Sequence, residues 1–400
     1  MSAPSTGTTT PRTEWRRRGV LLAGALSCAA LAAEAGLRLA GISFPIFSQP
    51  DPDRGWALRP GARGHYGVEG DAWIEINRDG WRDRDRTRVK RPGTLRVAVV
   101  GDSYVEALGI PADRTFRAAL ERALAGQANG RAVEVLGFGV HGYSTAQELL
   151  SLRCCVWRYS PDVVLLAFHP GNDVSDNLPT LDRSGTRYAR PYFTRTANGF
   201  AVDRSFRKSW RYRAGRLAAP LVAHSRLVQV LNRAHNVGFY RRPAGPPVTG
   251  KRILNREFGL DSWIYRDSLD AEQQAAWSTT EALLATMARE TAARHARFGV
   301  VSISVPVQVY PDSTLRRRFA REIGVTELLG PGRRIAELGR REGFPVLDLA
   351  PGFQAYADSH SVFLHGGGRM PPGVGHWNPT GHEMAGQAIA RWLGEWLREP

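Results

Sequence analysis

The chain has 400 residues, of which 42% are hydrophobic and 23% are charged. These values are typical of a globular protein, so they exclude a chain that is disordered throughout. The formal net charge of +16 comes from 54 basic and 38 acidic residues. No helix-turn-helix, zinc-finger or RNA-binding signature accompanies this charge, so we expect no nucleic-acid partner.

The N-terminus carries a membrane or targeting signal. Residues 1–18 are rich in Ser, Thr and Pro and end in an arginine triplet, which predicts a disordered cytoplasmic tail. Residues 19–42 are apolar apart from Glu34 and Arg38, and they predict a transmembrane anchor or a signal segment. Because a basic flank stays in the cytoplasm, we expect the main domain to be membrane-anchored and extracytoplasmic, in the periplasm or at the cell surface. It would be secreted if the N-terminus were cleaved.

Three regions follow this segment. Residues 43–92 are rich in Pro, Gly, Asp and Arg with interleaved aromatic residues, and they predict an N-terminal extension of short strands packed on the main domain. Residues 93–400 form the main domain, with a basic and aromatic insertion at about 178–268. The insertion suits a lid or substrate platform above the sheet, or equally a cover for the sheet edge.

The main domain alternates predicted strands and helices. Apolar runs predict five strands, at 95–100, 132–136, 162–168, 298–305 and 345–349. Helical periodicity follows in segments around 116–124, 145–159, 271–297, 314–322, 331–342 and 379–396. This alternation is typical of a doubly wound parallel sheet, so the predicted fold class is α/β, with three α/β/α layers.

Cysteine and cofactor patterns are uninformative. Cys154 and Cys155 are adjacent and are not expected to bridge, and Cys28 lies in the apolar N-terminal segment. The sequence contains no metal-ligand spacing, phosphate loop or dinucleotide fingerprint. We therefore expect no cofactor and no metal.

Polar motifs follow three successive strands. Gly101-Asp102-Ser103 comes after the first strand, Gly142 after the second and Gly171-Asn172-Asp173 after the third. Because the carboxyl ends of parallel strands meet at one edge of a sheet, these motifs should converge. The aspartates of the two motifs, Asp102 and Asp173, are interpreted as turn-supporting residues.

These residue types make up the parts of a serine-nucleophile site. Ser103 is the candidate nucleophile, and His376, just before the last helix, is the candidate general base. The backbone N–H groups of Ser103 and Gly142 and the amide of Asn172 are the candidate oxyanion-hole donors. Each residue also has a structural interpretation, as a helix cap, a turn glycine or an Asx cap.

With these motifs the chain resembles the SGNH, or GDSL-like, hydrolase superfamily, and in particular its membrane-anchored bacterial members. The similarity runs from about residue 95 to the C-terminus and is most specific at the segment 376–382, His-Trp-Asn-Pro-Thr-Gly-His. The resemblance implies an α/β/α fold and a serine esterase or acyl hydrolase that works through an acyl-enzyme. An ester is therefore the expected substrate, and an acylated carbohydrate fits the aromatic insertion, because aromatic faces can stack on sugars.

The chain departs from the family pattern at one position. The family normally has an aspartate two or three residues before the catalytic histidine, where Gly373 and Val374 stand here. Three explanations stay open. Another carboxylate, Asp348 as the possible supporting acid or Asp358, could orient His376; a backbone carbonyl could accept its proton; or the enzyme could be impaired.

Three functions are therefore compatible with the sequence. The first is hydrolysis of carboxylic esters outside the cytoplasm, through an acyl-enzyme on Ser103. The second is an O-acyltransferase that delivers the acyl group to a cell-envelope polysaccharide. The third is a non-catalytic carbohydrate-binding relative, which the missing aspartate suggests.

Overall fold

A computed structural model of the chain describes residues 11–127, 130–182, 186, 189–196, 199–240, 262–368 and 370–398. In chain order the strands are β1 (Ser48–Asp51), β2 (Gly55–Leu58), β3 (Arg63–Tyr66), β4 (Ala72–Glu75), β5 (Leu95–Gly101), β6 (Val133–Gly139), β7 (Val163–Phe168), β8 (Tyr192–Thr196), β9 (Gly199–Asp203), β10 (Arg297–Ser302) and β11 (Val346–Asp348). The helices are α1 (Pro11–Leu39), α2 (Ser103–Glu106), α3 (Phe116–Gln127), α4 (Thr145–Cys154), α5 (Trp210–His224), α6 (Arg226–Tyr240), α7 (Ala271–Ala292), α8 (Ser313–Ile323), α9 (Gly330–Glu342), α10 (Ala350–His360) and α11 (Pro379–Trp396). Short 3-10 helices connect several of these elements.

The centre of the molecule is a five-stranded parallel sheet with the order β11-β10-β7-β5-β6. Every residue of β5 and of β7 is buried, as expected for strands that are covered on both faces. The chain leaves β5 for β6 on one side and then returns to β7 on the other. In open α/β sheets this reversal opens a crevice at the carboxyl ends of the two inner strands, where ligands bind.

The two faces of the sheet carry separate hydrophobic cores. Val97 and Val99 of β5 pack with side chains of α3, α10 and α11, while Ala98 and Val100 pack with side chains of α4, α7 and α9. Successive side chains of a strand point to opposite faces, so one apolar strand contributes side chains to both cores. The predicted three-layer α/β/α fold is confirmed, and the five core strands fall on the predicted apolar runs with ends shifted by no more than three residues.

Helix α1 is the candidate membrane segment. Its stretch Glu14–Leu39 is long and apolar enough to cross a membrane or to act as a signal sequence. The helix begins at Pro11, so residues 11–18 are helical where a disordered tail was expected. Residues 1–10 of that prediction lie outside the described residues.

The extension and the insertion both add small structures to the main domain. In the extension, β1 pairs with β2 and β3 with β4, and buried side chains such as Ile74 and Trp81 join the main core. The insertion contributes the hairpin β8–β9 and the helices α5 and α6, while residues 241–261 lie outside the described part. Arg207 of the insertion forms an ion pair with Asp53 of the extension at 2.8 Å, so the two additions lie side by side.

Several features of the main domain differ from the sequence predictions. Helix α4 ends at Cys154, earlier than predicted, because the backbone leaves the helical conformation at Cys155. The two cysteines form a disulfide at this helix end, so the expectation that they would not bridge was wrong. Helix α10 was not predicted at all.

Candidate active site

Ser103 lies in the tight connection between β5 and α2. The connection needs a glycine before it, because a Cβ at Gly101 would lie 2.6 Å from a methyl of Val105. Asp102 is the N-cap of α2, and its Oδ1 accepts a hydrogen bond from the N–H of Tyr104 at 2.9 Å. This turn presents the Ser103 side chain at the carboxyl edge of the sheet.

His376 reaches the serine from the loop between α10 and α11. A backbone bridge between His365 and Trp377 closes this loop, and the N–H of Gly366 donates to the carbonyl of His376 at 2.9 Å. The Nε2 of His376 lies 2.7 Å from the Oγ of Ser103. The structure therefore brings the two predicted catalytic residues into hydrogen-bond contact.

The other ring nitrogen of His376 contacts a residue that the sequence interpretation missed. Its Nδ1 is hydrogen-bonded to Oε2 of Glu69, in the loop between β3 and β4, 307 residues away in sequence. Burial raises the pKa of the Glu69 carboxyl, but the charge of His376 and the hydrogen bond to it lower the pKa further, to below its ordinary value. Glu69 is therefore a carboxylate that faces the imidazole across from the serine.

Two close approaches hold the Glu69 loop in place. A Cβ at Gly70 would lie 1.9 Å from the carbonyl oxygen of Gly109, just beyond α2. A Cβ at Gly368, in the histidine loop, would lie 2.9 Å from the carbonyl oxygen of Glu69, and Gly368 has a φ of +61°. The Glu69 loop of the extension thus packs between the segment after α2 and the loop that carries His376. Residues larger than glycine at positions 70 and 368 would displace it.

Neither carboxylate considered from the sequence reaches His376. Asp348 accepts a hydrogen bond from the N–H of Ala350 at 3.1 Å and packs against Gly332, so it supports the start of α10. Asp358 forms a two-point ion pair with Arg316, with both contacts at 2.7 Å. Among the carboxylates of the described residues, Glu69 rather than Asp348 contacts the Nδ1 of His376, so it takes the place considered for Asp348 as the supporting acid.

The three candidate oxyanion donors line one cavity, which also contains His376. Gly142 has a φ of +67°, a conformation that favours glycine, and it follows β6 as predicted. The Nδ2 of Asn172 donates to Oδ2 of Asp102 at 3.2 Å and to the carbonyl of Tyr143 at 3.3 Å. Both amide protons of Asn172 thus already have acceptors, and binding an oxyanion would require it to share one of them.

Asp102 and Asp173 hold the strand ends together. Besides capping α2, Asp102 places Oδ2 3.0 Å from Nδ1 of His169. Burial raises the pKa of Asp102, but the charge of His169 and its hydrogen bond hold the pKa below the ordinary value. Asp173 accepts the N–H of His169 at 2.7 Å, so both aspartates have contacts of the turn-supporting kind that the sequence suggested.

A further histidine–carboxylate pair lies in the cavity wall. Nδ1 of His141 lies 3.0 Å from Oε2 of the buried Glu106, which also accepts the N–H of His141. Burial lowers the pKa of His141, but the charge of Glu106 raises it further, so the net shift is upward. Neither His141 nor Glu106 is among the candidate site residues that the sequence motifs indicated.

The cavity at this sheet edge has a volume of about 900 Å³. Ser103 and His376 lie in its wall beside polar side chains, and its apolar wall includes residues of the extension, of the segment after α2 and of the segment before α7: Phe44, Ile46, Phe47, Val68, Leu108 and Ile264. Within the described ranges, no group of three or more His, Cys, Asp or Glu residues could hold a metal ion. The site consists of an aligned serine and histidine, a carboxylate and a roomy, partly apolar cavity.

The chain is similar to known proteins only at the level of solved structures. No family model matches the chain, and no curated protein matches it. Among solved structures it is similar to the acetyl xylan esterase AlAXEase (12% identity, TM-score 0.36, 76% of this chain and 100% of that chain) and to TesA (13%, 0.35, 75% and 97%). A catalytic mutant of the acetylxylan esterase Axe2 from Geobacillus stearothermophilus matches at 13% identity and a TM-score of 0.37, over 78% of this chain and 100% of that one. At these identities and TM-scores the matches carry no conclusion about the chemistry of this chain, which has to follow from its own residues.

Proposed function

We propose that this chain is a serine ester hydrolase in which Ser103, His376 and Glu69 act as a catalytic triad. The observation that carries the proposal is the position of His376, with Nε2 on the serine hydroxyl and Nδ1 on the Glu69 carboxylate. A serine becomes an effective nucleophile when a base takes its proton and a third group orients that base. Because a carboxylate does contact His376, the missing aspartate no longer favours a non-catalytic relative.

In the acylation step, His376 Nε2 removes the proton of Ser103 Oγ as the oxygen attacks the ester carbonyl. The proton then passes from His376 to the alkoxide leaving group, and an acyl-enzyme remains on Ser103. The N–H groups of Ser103 and Gly142, and the Asn172 amide, are placed in this proposal as donors to the developing oxyanion. In deacylation His376 takes a proton from water as the water oxygen attacks the acyl carbonyl, and it then gives this proton to Ser103 Oγ as the acyl–oxygen bond breaks and the acid leaves.

Glu69 serves in this mechanism as a positioning and charge-stabilising residue. Accepting the Nδ1 proton fixes the tautomer in which Nε2 is free to act as a base. Its negative charge stabilises the imidazolium that forms in each half-reaction. Its lowered pKa means that the carboxylate stays ionised throughout the neutral pH range.

The substrate class follows from the cavity and is also a proposal. The apolar lining can take an acyl group, and the polar side chains Gln229, Asn232 and Arg233, which also line the cavity, can take a polar alcohol part. We therefore favour carboxylic esters with a polar alcohol, such as an acylated carbohydrate. Transfer of the acyl group to a polysaccharide hydroxyl, the alternative from the sequence, would use the same acyl-enzyme with a different acceptor.

The cellular location is proposed from the N-terminal segment. An arginine triplet precedes the apolar stretch of α1, and basic flanks stay in the cytoplasm. The main domain would then lie outside the cytoplasm, anchored by α1. A reporter fused after the last residue, active only in the periplasm, would measure this orientation.

The test of the proposed function is labelling with a fluorophosphonate probe. Wild type should be labelled, whereas Ser103→Ala and His376→Ala should not be, because the probe reports an activated serine. Ser302→Ala is the matched control: this serine is buried at the end of β10, and labelling should persist. Folded wild type that takes no label would contradict the proposal, with folding checked by circular dichroism.

A further inference from the structure

Helix α5 in the insertion presents an apolar face to solvent. Trp210, Leu217 and Leu221 are 73%, 85% and 67% exposed. Since successive helical residues are rotated by about 100°, these three side chains project within about 40° of one another. Tyr212, which projects from the opposite side, is buried. The helix therefore packs on the protein through one face and leaves a second apolar face uncovered by the described residues.

Positive charges flank this face. The segment from residue 205 to residue 224 has no Asp or Glu and contains five basic residues, Arg207, Lys208, Arg211, Arg213 and Arg216. The guanidinium of Arg211 lies 5.8 Å from the ring centre of Trp210. An apolar stripe with an aromatic residue and flanking arginines is the pattern of a helix that lies in the interface of an anionic bilayer.

The same region is attached to the end of the candidate membrane helix. The carboxylate of Glu34, near the end of α1, accepts hydrogen bonds from the N–H groups of Arg226 and Leu227, both at 2.9 Å, and from the hydroxyl of Ser225 at 3.0 Å. Arg38 donates to the carbonyl of His224 at 2.8 Å. These contacts satisfy both helix ends at the corner between α5 and α6, and they hold that corner against the last turns of α1.

This attachment places the uncovered face of α5 near the C-terminal end of the apolar stretch of α1, which ends at Leu39. Leu221 lies within one turn of the corner that Glu34 and Arg38 hold. We propose that α5 docks on an anionic phospholipid bilayer through Trp210, Leu217 and Leu221, with α1 retained in the membrane beside it. The proposal does not depend on the ester hydrolase function, but it rests on the membrane position of α1 proposed above.

The experiment measures the depth of a fluorescent label in the full chain reconstituted into vesicles of phosphatidylcholine and phosphatidylglycerol. A nitrobenzoxadiazole group is attached at Leu217→Cys or at Leu221→Cys in a Cys28→Ser background, and quenching by brominated phospholipids is recorded. An interfacial helix buries its apolar face about 5–10 Å into the headgroup and acyl boundary, so we expect about twofold quenching or more. Both sites are exposed, so neither substitution removes packing.

Two controls bracket the measurement. Val89→Cys carries the label at an equally exposed aliphatic site, 84% against 85% for Leu217, but near the amino end of β5 and hence at the other edge of the sheet. It should not be quenched. The native Cys28, within α1, should be quenched if α1 is in the bilayer. Replacing Arg213 and Arg216 by Glu should reduce quenching at Leu217, as should vesicles of phosphatidylcholine alone.

Three outcomes would overturn the proposal. The first is no quenching at Leu217 and Leu221 while Cys28 is quenched, which would leave α5 away from the bilayer. The second is a blue-shifted but unquenched label at Leu217, which would mean that protein and not lipid covers this face. The third is an unquenched label at Cys28, which would remove α1 from the membrane.

Discussion

Two histidine–carboxylate pairs flank the ring of Tyr104, and they differ in what the histidine contacts. The rings of His376 and His169 lie 4.8 Å and 4.9 Å from that of Tyr104. His376 contacts the Ser103 hydroxyl, and its carboxylate partner, Glu69, lies in a hairpin that is distant in sequence. His169 instead contacts Asp102, the direct neighbour of the serine in sequence. Adjacency to the nucleophile therefore does not identify the acid that serves the base.

The largest expected effect separates the two histidines. Replacing His376 by Ala should lower kcat for an ester substrate by about 10⁴-fold to 10⁶-fold, because the serine loses its base. His169→Ala should cost far less, since His169 makes its polar contacts with Asp102 and Asp173 and none with Ser103 among the described residues. Steady-state kinetics with an activated ester would measure both. Equal losses in the two variants would mean that the pairs share the role of base.

The second effect separates the two carboxylates. Glu69→Gln should lower kcat by about 10⁴-fold with little change in the melting temperature, because an amide at this position favours the wrong tautomer of His376. Asp102→Asn should act mainly on stability, by about 1–3 kcal/mol, since a buried carboxylate that accepts several hydrogen bonds is lost. The measurements are kinetics and thermal unfolding on both proteins.

Asp348→Asn is the matched control for the second effect. It removes the carboxylate considered from the sequence, which lies at the end of β11 and contacts Ala350 rather than His376. Its kcat should equal that of wild type. If Asp348→Asn lost activity and Glu69→Gln kept it, the proposed triad would be wrong.

The contrast between Glu69 and Ser103 also explains what sequence reading could predict. The core strands, Ser103 and His376 have local signals, since apolar runs that end in short polar motifs define a sheet edge. Glu69 comes from a two-stranded hairpin with no periodicity that ties it to the site. Its contact depends on tertiary packing of Gly70 against Gly109 and of Gly368 against the Glu69 backbone. The only signal that the sequence offered was the position of Glu69 between Gly67 and Gly70, in an extension rich in glycine.

The insertion was also only partly predictable. The segment has few clean periods, and the sequence suggested at most one helix in it, at about residues 225–237, where α6 (Arg226–Tyr240) lies. Helix α5 was missed because it carries Pro220 inside it and turns three large apolar residues toward solvent. A pattern that assumes apolar residues face the core cannot recognise such a helix. Its exposed face is also the feature that led to the bilayer proposal.

The smallest effect concerns a buried acid whose pKa is influenced by Asp102. Glu148 of α4 is buried, and its two carboxyl oxygens have no hydrogen-bond partner in the described structure. Burial, together with the charge of Asp102, raises its pKa well above the ordinary value. Glu148 is therefore protonated in the folded protein at pH values where it is ionised in the unfolded chain.

The sign of its pH dependence follows from linkage. A carboxyl with a raised pKa in the folded state stabilises the protein fully only below its unfolded pKa, and this contribution is lost as the pH rises toward the folded pKa. Glu148→Gln removes the titration and keeps the shape of the neutral acid. The variant should therefore be more stable relative to wild type at pH 8 than at pH 4, as measured by chemical unfolding at both values. A loss of stability that is the same at both values would instead mean that packing of the acid, and not its proton, matters at this position.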